Sequence, residues 1–262
     1  AHRINVEGTR NVLELMDELD ISKGVYTSTV GVYGNTDGAV VDESYRPDPP
    51  ELCVYFNTKW HAHYEVAQPM MEEDGLPLII VQPGGVYGPD DKEYGSIREI
   101  FRNWLQGDLP MIPKKVALPF DHVEDIVRGH LLAMETGEIG EEYIISSEPR
   151  KVVEIFDLAE ELTGISAPWK VSPLWFKLLE KVMTPVEWVM TPPEGFEPEK
   201  LRTYGGAEIL VDNSKATREL GIEHRPIEDG LREYLEWEID QLGIESQTTS
   251  STLRTDTADT VR

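Results

Sequence analysis

One short apolar run constrains the fold of this chain more than any other part of its sequence. The residues from Leu76 to Val81 read LPLIIV, follow a helical segment that ends at Gly75, and stop at Gln82, just before a glycine-rich turn. A strand that is apolar at every position is covered on both faces, as happens in parallel sheets with helices on either side. We therefore predict an α/β fold built on a parallel sheet.

Helices and strands alternate on both sides of this run. Apolar side chains recur at helical spacing in residues 4–19 and 54–73, while residues 25–30 and 143–145 are rich in β-prone side chains. Further helices are predicted at residues 96–105, 123–134, 149–162 and 227–242. This alternation is typical of a parallel sheet covered on both faces.

Two of the predicted helices carry apolar stripes. A stripe of this kind is the face that a helix normally buries. In the first helix it consists of Val12, Leu15, Met16 and Leu19. In the helix at 123–134 it consists of Val123, Ile126, Val127, His130, Leu131 and Met134.

The charge of the chain excludes several classes of partner. Its 262 residues include 49 Asp and Glu but only 24 Lys and Arg, so the formal net charge is −25. A surface this acidic repels the phosphates of nucleic acids and anionic lipids, and we expect neither as a partner. The apolar fraction of 40% is large enough for a core, which argues against a disordered acidic segment.

The cysteine content and the hydropathy of the chain indicate its compartment. Cys53 is the only cysteine, so no disulfide within the chain is possible. No apolar run approaches the roughly 18 residues that a membrane span requires. We expect a cytoplasmic protein with no membrane span.

Tyr55 and Lys59 form the sharpest local pattern, because residues four apart share one face of a helix. A free tyrosine has a pKa near 10, which must fall by about three units, or roughly 4 kcal/mol, for proton exchange at neutral pH. A neighbouring cation supplies part of that stabilisation. Taken alone, the spacing favours a surface lysine beside a half-buried tyrosine, since such pairs arise often by chance.

Two strand ends supply the context for this pair. Ser28 and Thr29 end the strand at 25–30, and Gly84 and Gly85 follow the strand that stops at Gln82. The carboxyl ends of parallel strands meet at one sheet edge, where α/β folds bind ligands. Glycines there let the backbone approach a bound ring closely.

Six motifs in order resemble one known family. They are residues 5–14 (NVEGTRNVLE), 25–34 (VYTSTVGVYG), 55–59 (YFNTK), 83–89 (PGGVYGP), 122–125 (HVED) and 212–221 (DNSKATRELG). Together they resemble the extended short-chain dehydrogenase/reductases, which include nucleotide-sugar epimerases, dehydratases and dihydroflavonol reductase-like enzymes. The segment 201–237 resembles dihydroflavonol reductase-like and hopanoid-associated epimerase relatives more than a UDP-galactose epimerase.

This resemblance implies a Rossmann-type, doubly wound parallel sheet with a small, mostly helical C-terminal substrate region. We expect the NAD(P)-binding domain at 1–165, with a substrate-region insertion after Pro89, and the C-terminal substrate-binding region at 166–244. Residues 245–262 are predicted to be a disordered tail, because they offer almost nothing to bury.

The resemblance also implies an NAD(P)-dependent oxidoreductase or epimerase with NAD or NADP as cofactor. Its substrate class is a nucleotide-sugar or a small hydrophobic ketone or aldehyde, and hydride transfer occurs at a carbinol or carbonyl carbon. The alternatives are a non-catalytic dinucleotide-sensing regulator on the same fold and an acidic structural protein. Such regulators commonly lose the Tyr or the Lys, and both are present here.

The family's site residues map onto this chain position by position. Tyr55 matches the general acid/base, and Lys59 matches the residue that lowers its pKa and holds the nicotinamide ribose. Thr29 matches the Ser/Thr that hydrogen-bonds the substrate oxygen, and its neighbour Ser28 is the less favoured candidate for that role. The predicted cofactor contacts are Asn5, Ser28, Tyr55, Lys59, Pro83, Gly84, Gly85 and Val86, and the predicted substrate contacts are Tyr33 and Tyr87.

Two departures from the family pattern stand out. Gln82 replaces the family's arginine, which removes a cation, and we expect a looser local network there. The family's Gly-rich fingerprint, G-x-x-G-x-x-G, does not occur in these 262 residues. We therefore expect an N-terminally truncated sheet that binds dinucleotides poorly, which a dissociation constant for NAD(H) measures directly.

The remaining features favour structural roles. His61 and His63 point to different sides of a helix and the other histidines are scattered, so no metal site is expected. His122 is interpreted as a hydrogen-bonding residue at a helix start, and the apolar stretch 171–190 as packing, with a lid over a greasy substrate as its alternative. By family analogy we expect a homodimer through the helices at 5–19 and 54–73.

The acidic composition predicts a protein adapted to high salt. Lys contributes only 11 of the 24 basic residues, and concentrated salt screens the self-repulsion of so many carboxylates. We expect the melting temperature to rise between dilute buffer and molar KCl. A melting temperature that does not rise contradicts the halophilic interpretation.

Overall fold

The computed structural model describes residues 1–92, 95–187, 201, 203 and 205–244. Most of its strands are short, and strands alternate with helices along the chain, as the sequence pattern predicts. In chain order they are β1 (Gly24–Thr27), β2 (Leu78–Gln82), β3 (Gly85–Tyr87), β4 (Met111–Pro113), β5 (Ala117–Leu118), β6 (Phe120–His122), β7 (Glu142–Ile144), β8 (Arg150–Lys151) and β9 (Trp169–Val171).

The six predicted helical segments are helical in the structure, and the described residues form two further helices, at 173–187 and 214–220, that the sequence analysis did not predict. In chain order the helices are α1 (Gly8–Glu18), α2 (Val54–Ala62), α3 (Gln68–Glu72), α4 (Ser96–Leu105), α5 (Val123–Thr136), α6 (Val152–Thr163), α7 (Pro173–Glu187), α8 (Ser214–Leu220) and α9 (Ile227–Leu242). A π-helical turn at Arg3–Glu7 precedes α1, and another at His63–Ala67 joins α2 to α3.

The central sheet has three parallel strands, with β2 between β1 and β7. Thr27 pairs with Val81, and Val81 with Tyr143, so the three carboxyl ends lie at one edge. Every residue of β2 is buried, as its apolar run predicts. The α/β fold with a parallel sheet is therefore confirmed.

The side chains of β2 alternate between two helical layers, because successive residues of a strand point to opposite faces. Leu78 and Ile80 pack with residues of α1, α2 and α3. Ile79 and Val81 pack with residues of α5 and α8. Helices on both faces make this the doubly wound arrangement of Rossmann-type sheets.

The apolar stripes of α1 and α5 are only partly buried. In α1 it is Leu13 that is buried, while Val12, Leu15 and Leu19 are exposed. In α5, Ile126 is buried with the small residues Gly129 and Ala133, whereas Val127, Leu131 and Met134 are exposed. A Cβ added at Gly129 would lie 3.0 Å from Ile222, so this helix approaches its neighbours on its small side chains.

Pro69 accounts for the break between α2 and α3. Proline has no backbone N–H, so Pro69 cannot donate the helical bond to the carbonyl of Glu65. The helix widens into the π-helical turn His63–Ala67 over the residues before it. The predicted helix 54–73 is thus continuous, but the π-helical turn changes which side of the helix its residues occupy after Ala62.

A second core lies in the part of the chain after Pro89. Phe101 stacks on Phe156 with ring centroids 5.2 Å apart, and Tyr234 meets Phe101 edge-on. The buried carboxylate of Glu238 accepts hydrogen bonds from Arg98 at 2.8 Å and Arg102 at 2.9 Å. This core joins α4, α6 and α9.

The predicted division at residue 165 does not coincide with a gap in packing, because the second core takes side chains from both sides of it. β4 pairs with β9 across that position. The predicted tail at 245–262 and the end of the apolar stretch at 188–190 lie outside the described residues. Among the described helices, none is long and apolar enough to cross a membrane.

Candidate active site

Thr29 lies just beyond the carboxyl end of β1. It caps the short 3₁₀ helix at Val30–Tyr33, where its Oγ1 accepts a hydrogen bond of 3.1 Å from the backbone N–H of Gly31. That bond orients the hydroxyl and leaves its hydrogen to donate. The side chain is largely buried but sits at the sheet edge where ligands bind in this class of fold.

Helix α2 contacts this strand end directly. A Cβ on Gly31 would lie 2.3 Å from the ring of Phe56, so only glycine permits the observed approach. Cys53 caps the helix, with its Sγ accepting from the backbone N–H of Phe56. Tyr55, next to Phe56, is therefore held close to the turn that carries Thr29.

Lys59 ties α2 to β1. Its Nζ donates to the backbone carbonyl of Thr27 at 2.7 Å and to the phenol oxygen of Tyr26 at 3.3 Å. Burial lowers the pKa of Lys59 to about 8, because loss of water disfavours the ammonium form. A lysine with such a pKa gives up its proton more easily than an exposed one.

Tyr55 is half exposed, and its pKa is raised rather than lowered. The main cause is burial, which disfavours the phenolate, and Cys53 adds a smaller repulsive effect. Lys59 is not among the causes of this shift, and its hydrogen bonds go to Thr27 and Tyr26. A lowering of the Tyr55 pKa by Lys59 stays a prediction.

The turn after β2 lies beside Thr29. The backbone N–H of Val30 donates to the carbonyl of Pro83 at 2.9 Å, which brings this predicted cofactor contact next to the end of β1. Val86 is partly exposed, as a residue along a bound ring would be. The backbone of Pro83 to Val86 thus runs along the same edge as Thr29.

Asp121 holds this turn in place through its hydrogen bonds. Its carboxylate accepts at 2.7 Å from the backbone N–H of Gly84 and from both the backbone and the side chain of Ser147. Burial nevertheless raises the pKa of Asp121 to about 6. A Cβ on Gly84 would lie 2.7 Å from this carboxylate, which explains the glycine.

Asn5 and Ser28 occupy different settings. The amide of Asn5 donates to Thr58 Oγ1 at 2.9 Å, so Asn5 is anchored to α2 between Tyr55 and Lys59. Ser28 is 2% exposed, and its hydroxyl is hydrogen-bonded to His63 at 2.8 Å. The Ser28 side chain therefore faces the interior of the protein, and a cofactor contact at Ser28 stays a prediction.

Gln82 belongs to a buried polar network. Its side-chain oxygen accepts from the phenol of Tyr33 at 2.9 Å, and its amide lies 3.5 Å from Glu142. The expected loosening at this position is therefore wrong, because the amide has a partner at each end. Tyr33 is buried at the wall of a cavity of about 360 Å³ that also borders Leu52, close to the start of α2.

Tyr87 lies elsewhere in the molecule. The ring of Tyr87 contacts the His122 ring edge-on, with the ring centroids 5.5 Å apart. Tyr87 also lines a separate cavity of about 300 Å³ that borders Arg225. His122 caps α5 by accepting from the backbone N–H of Glu124, the structural role that the sequence favours. The two predicted substrate contacts, Tyr33 and Tyr87, therefore border different cavities.

Sequence reasoning missed three side chains around this site: Tyr26, His63 and Glu142. Tyr26 binds Lys59, and burial raises the pKa of Tyr26 to about 12. His63 and Glu142 are buried next to Ser28. The spacing Tyr55, Lys59, His63 was the available signal, since each residue follows the last by one helical step of four.

The arrangement fits the nicotinamide end of a dinucleotide. Lys59 offers an ammonium, Thr29 and Tyr55 offer hydroxyl groups, and the turn from Pro83 to Val86 offers backbone at the carboxyl edge of parallel strands. Within the described part of the chain, no group of three or more His, Cys, Asp or Glu side chains is placed to hold a metal ion.

Comparison with known families places this site in context. Residues 1–146 match the NAD dependent epimerase/dehydratase family. A Synechocystis sp. protein with the provisional name dihydroflavonol 4-reductase is 31% identical over 247 residues, which is 90% of this chain and 70% of that protein.

Two further proteins extend the comparison. A Stigmatella aurantiaca enzyme, 4-hydroxy-2-methyl-3-oxo-4-farnesyl-3,4-dihydroquinoline-1-oxide ketoreductase, is 28% identical and is matched over 71% of its length. The crystal structure of gox2253 is 29% identical, with a TM-score of 0.77 over 92% of this chain and 73% of that one. The chain thus spans about 70% of each relative.

The lowered pKa of Lys59 is directly measurable. We expect reductive methylation followed by ¹³C NMR to give a titration midpoint near 8 for Lys59, against about 10.4 for an ordinary lysine. Between those two values the unfolded chain binds the extra proton, so the Lys59 contribution to the free energy of unfolding rises with pH. Lys59→Arg identifies the resonance, and a midpoint at or above 10 contradicts the predicted burial effect.

Proposed function

This chain belongs to the NAD dependent epimerase/dehydratase family, and from that membership we propose that it catalyses nicotinamide-dependent hydride transfer at a carbonyl or carbinol carbon. NAD or NADP is the proposed cofactor. The observation that carries the proposal is the Lys59 hydrogen bond to the carbonyl of Thr27. It places the helix with Tyr55 against the strand end with Thr29, at the edge where α/β folds bind ligands.

Each of these side chains has a proposed task in carbonyl reduction. The bound nicotinamide supplies the hydride that goes to the carbonyl carbon. The Thr29 hydroxyl donates a hydrogen bond to the carbonyl oxygen and fixes its position. Tyr55 gives its phenolic proton to that oxygen as the alcohol forms, and solvent then returns a proton to Tyr55. Oxidation of an alcohol runs the same proton transfer in reverse.

Lys59 supports this chemistry through its charge. At neutral pH an ammonium with a pKa of about 8 stays mostly protonated and stabilises the phenolate that forms on Tyr55. To do so its Nζ must turn from Tyr26 toward Tyr55, a change of side-chain torsion only. The Thr27 carbonyl keeps the ammonium at the sheet edge throughout.

An apolar ketone or aldehyde is the proposed substrate class. The Synechocystis relative is named for a dihydroflavonol and the Stigmatella relative for a farnesylated quinoline oxide, both apolar ring systems. Helix α7 exposes Leu174, Trp175, Leu178 and Val182, an apolar side suited to cover such a ligand. A nucleotide-sugar is the second substrate class.

Tyr55→Phe tests the proposed acid/base. We expect kcat/KM for NADPH-dependent or NADH-dependent reduction of a dihydroflavonol probe to fall at least about a hundredfold, since general acid catalysis contributes that much. Tyr143→Phe is the matched control, because the Tyr143 phenol is bonded to the backbone N–H of Glu138 on the far side of the sheet. Loss of reduced nicotinamide absorbance gives the rate.

Assays of turnover and of nicotinamide binding together separate the proposal from its alternatives. Turnover that is unchanged in Tyr55→Phe removes Tyr55 from the mechanism. Binding of NADH or NADPH without turnover of the dihydroflavonol or of a UDP-hexose favours a dinucleotide-sensing regulator. Turnover of the UDP-hexose alone, followed as conversion of the sugar because epimerisation and dehydration leave no net change in the nicotinamide, selects the nucleotide-sugar class.

We further propose a homodimer through α1 and α2. The exposed apolar side chains Val12, Leu15 and Leu19 form a continuous stripe on α1. Two copies of such a stripe bury apolar surface when they pair. Among the described residues, these three side chains belong neither to the second core nor to the cluster that packs α1 to α3 against the sheet.

Leu15→Glu tests this interface. We expect the mass from light scattering in high salt to fall from that of two chains to that of one, because the carboxylates of two copies would meet in an apolar contact. Leu131→Glu is the matched control, since Leu131 is equally exposed but lies on α5. A wild-type protein that is monomeric in high salt contradicts the proposal.

A further inference from the structure

A buried polar chain joins three elements beneath the candidate site. Ser28 Oγ lies 2.8 Å from Nδ1 of His63, and Nε2 of His63 lies 3.2 Å from Oε2 of Glu142. Ser28 follows β1, His63 begins the π-helical turn after α2, and Glu142 begins β7. His63 is fully buried and the other two side chains are nearly so.

His63 is placed by the same helix that carries Tyr55 and Lys59. The three residues follow one another at steps of four, so they share a helix face. Lys59 reaches the carbonyl of Thr27, and His63 reaches the side chain of the next residue, Ser28. Thr29 follows immediately. Two contacts in a row thus connect this helix face to the strand end that carries the proposed substrate-binding hydroxyl.

Glu142 supplies the buried charge that orients the histidine. A carboxylate in the interior is costly unless polar groups surround it. Here Gln82 Nε2 lies 3.5 Å from Oε2, and Arg46 Nη2 lies 3.8 Å from Oε1. The approach of His63 to Oε2 is close but poorly aligned for a hydrogen bond, so it acts mainly as an electrostatic contact.

We propose that His63 is a positioning residue for the reaction. Its Nε2–H faces Glu142, its Nδ1 accepts from the Ser28 hydroxyl, and the imidazole thereby holds the end of β1 at a fixed distance from α2. Thr29 is kept in place relative to Tyr55 and Lys59 without His63 touching substrate or cofactor. This inference rests on the proposed function for its kinetic consequence and on the buried contacts for its geometry.

The test compares two replacements of His63 of similar size. His63→Gln keeps an amide N–H for Glu142 and a carbonyl oxygen for Ser28, whereas His63→Leu keeps neither. We expect His63→Leu to lower kcat about tenfold with the substrate KM within about twofold, because misplaced reacting groups slow the chemical step. We expect His63→Gln to retain kcat within about threefold of the wild type.

His130→Leu is the matched control. His130 Nε2 lies 2.9 Å from Thr27 Oγ1, so it is also an imidazole bonded to a hydroxyl on β1, but it reaches the strand from α5 on the opposite face. We expect its kcat to stay within about twofold of the wild type, since its loss leaves the α2 contacts intact.

A second measurement keeps this proposal separate from the proposed function. The ¹³C titration midpoint of Lys59 reports how α2 sits on the end of β1, whether or not the enzyme turns over. We expect His63→Leu to move that midpoint by at least about half a unit, and His63→Gln and His130→Leu to leave it in place. A wild type without turnover refutes the proposed function, and the midpoints then decide the positioning role alone.

The proposal is overturned if His63→Leu and His63→Gln have the same kcat and the same Lys59 titration midpoint. A lower melting temperature in His63→Leu with kcat and the Lys59 midpoint both unchanged also overturns it, because that result describes packing only. If His63→Leu does not fold, Ser28→Ala replaces it. Removal of that hydroxyl is expected to lower kcat and move the midpoint, and no change in either overturns the proposal.

Discussion

Burial of β2 on both faces is the constraint on which the rest of this structure depends. An apolar strand between two parallel neighbours requires a helical layer on each side, and α1 to α3 and α5 with α8 supply them. Parallel pairing brings the carboxyl ends of the strands to one edge. Thr29 and the turn at Pro83 lie at that edge for this reason, and α2 packs against the segment that follows Thr29.

The proposed proton chemistry depends on how much water reaches this edge. Burial lowers the pKa of Lys59 to about 8 and raises the pKa of Tyr55, so each group is shifted against its charged form. A phenol and an ammonium that both resist charging in isolation are suited to stabilise each other when brought together. In the structure the ammonium is hydrogen-bonded instead to Thr27 and Tyr26.

The polar interior beneath the site shows how a departure from the family pattern is accommodated. Gln82 removes a buried cation, and the carboxylate of Glu142 remains. His63 and Arg46 provide the electrostatic partners, while Tyr33 satisfies the other end of Gln82. Because a buried charge tolerates few arrangements, such a network also restricts where the strand ends can lie.

The amino-acid sequence by itself determined the α/β class and the order of the elements, because helical and strand periods are local properties. The resemblance of its motifs predicted Thr29, Tyr55 and Lys59 as site residues. Sequence reasoning failed where burial depends on a neighbour from a distant part of the chain. Val127, Leu131 and Met134 of the α5 stripe are exposed because Gly129 allows a closer approach on the other side of the helix.

Tertiary structure alone decided the pKa directions of Tyr55 and Lys59 and the inward orientation of Ser28. It also decided the contact of His63 with Glu142, residues that lie far apart in the sequence. Desolvation and pairing depend on which groups fold together in space, and no periodicity along the chain encodes that.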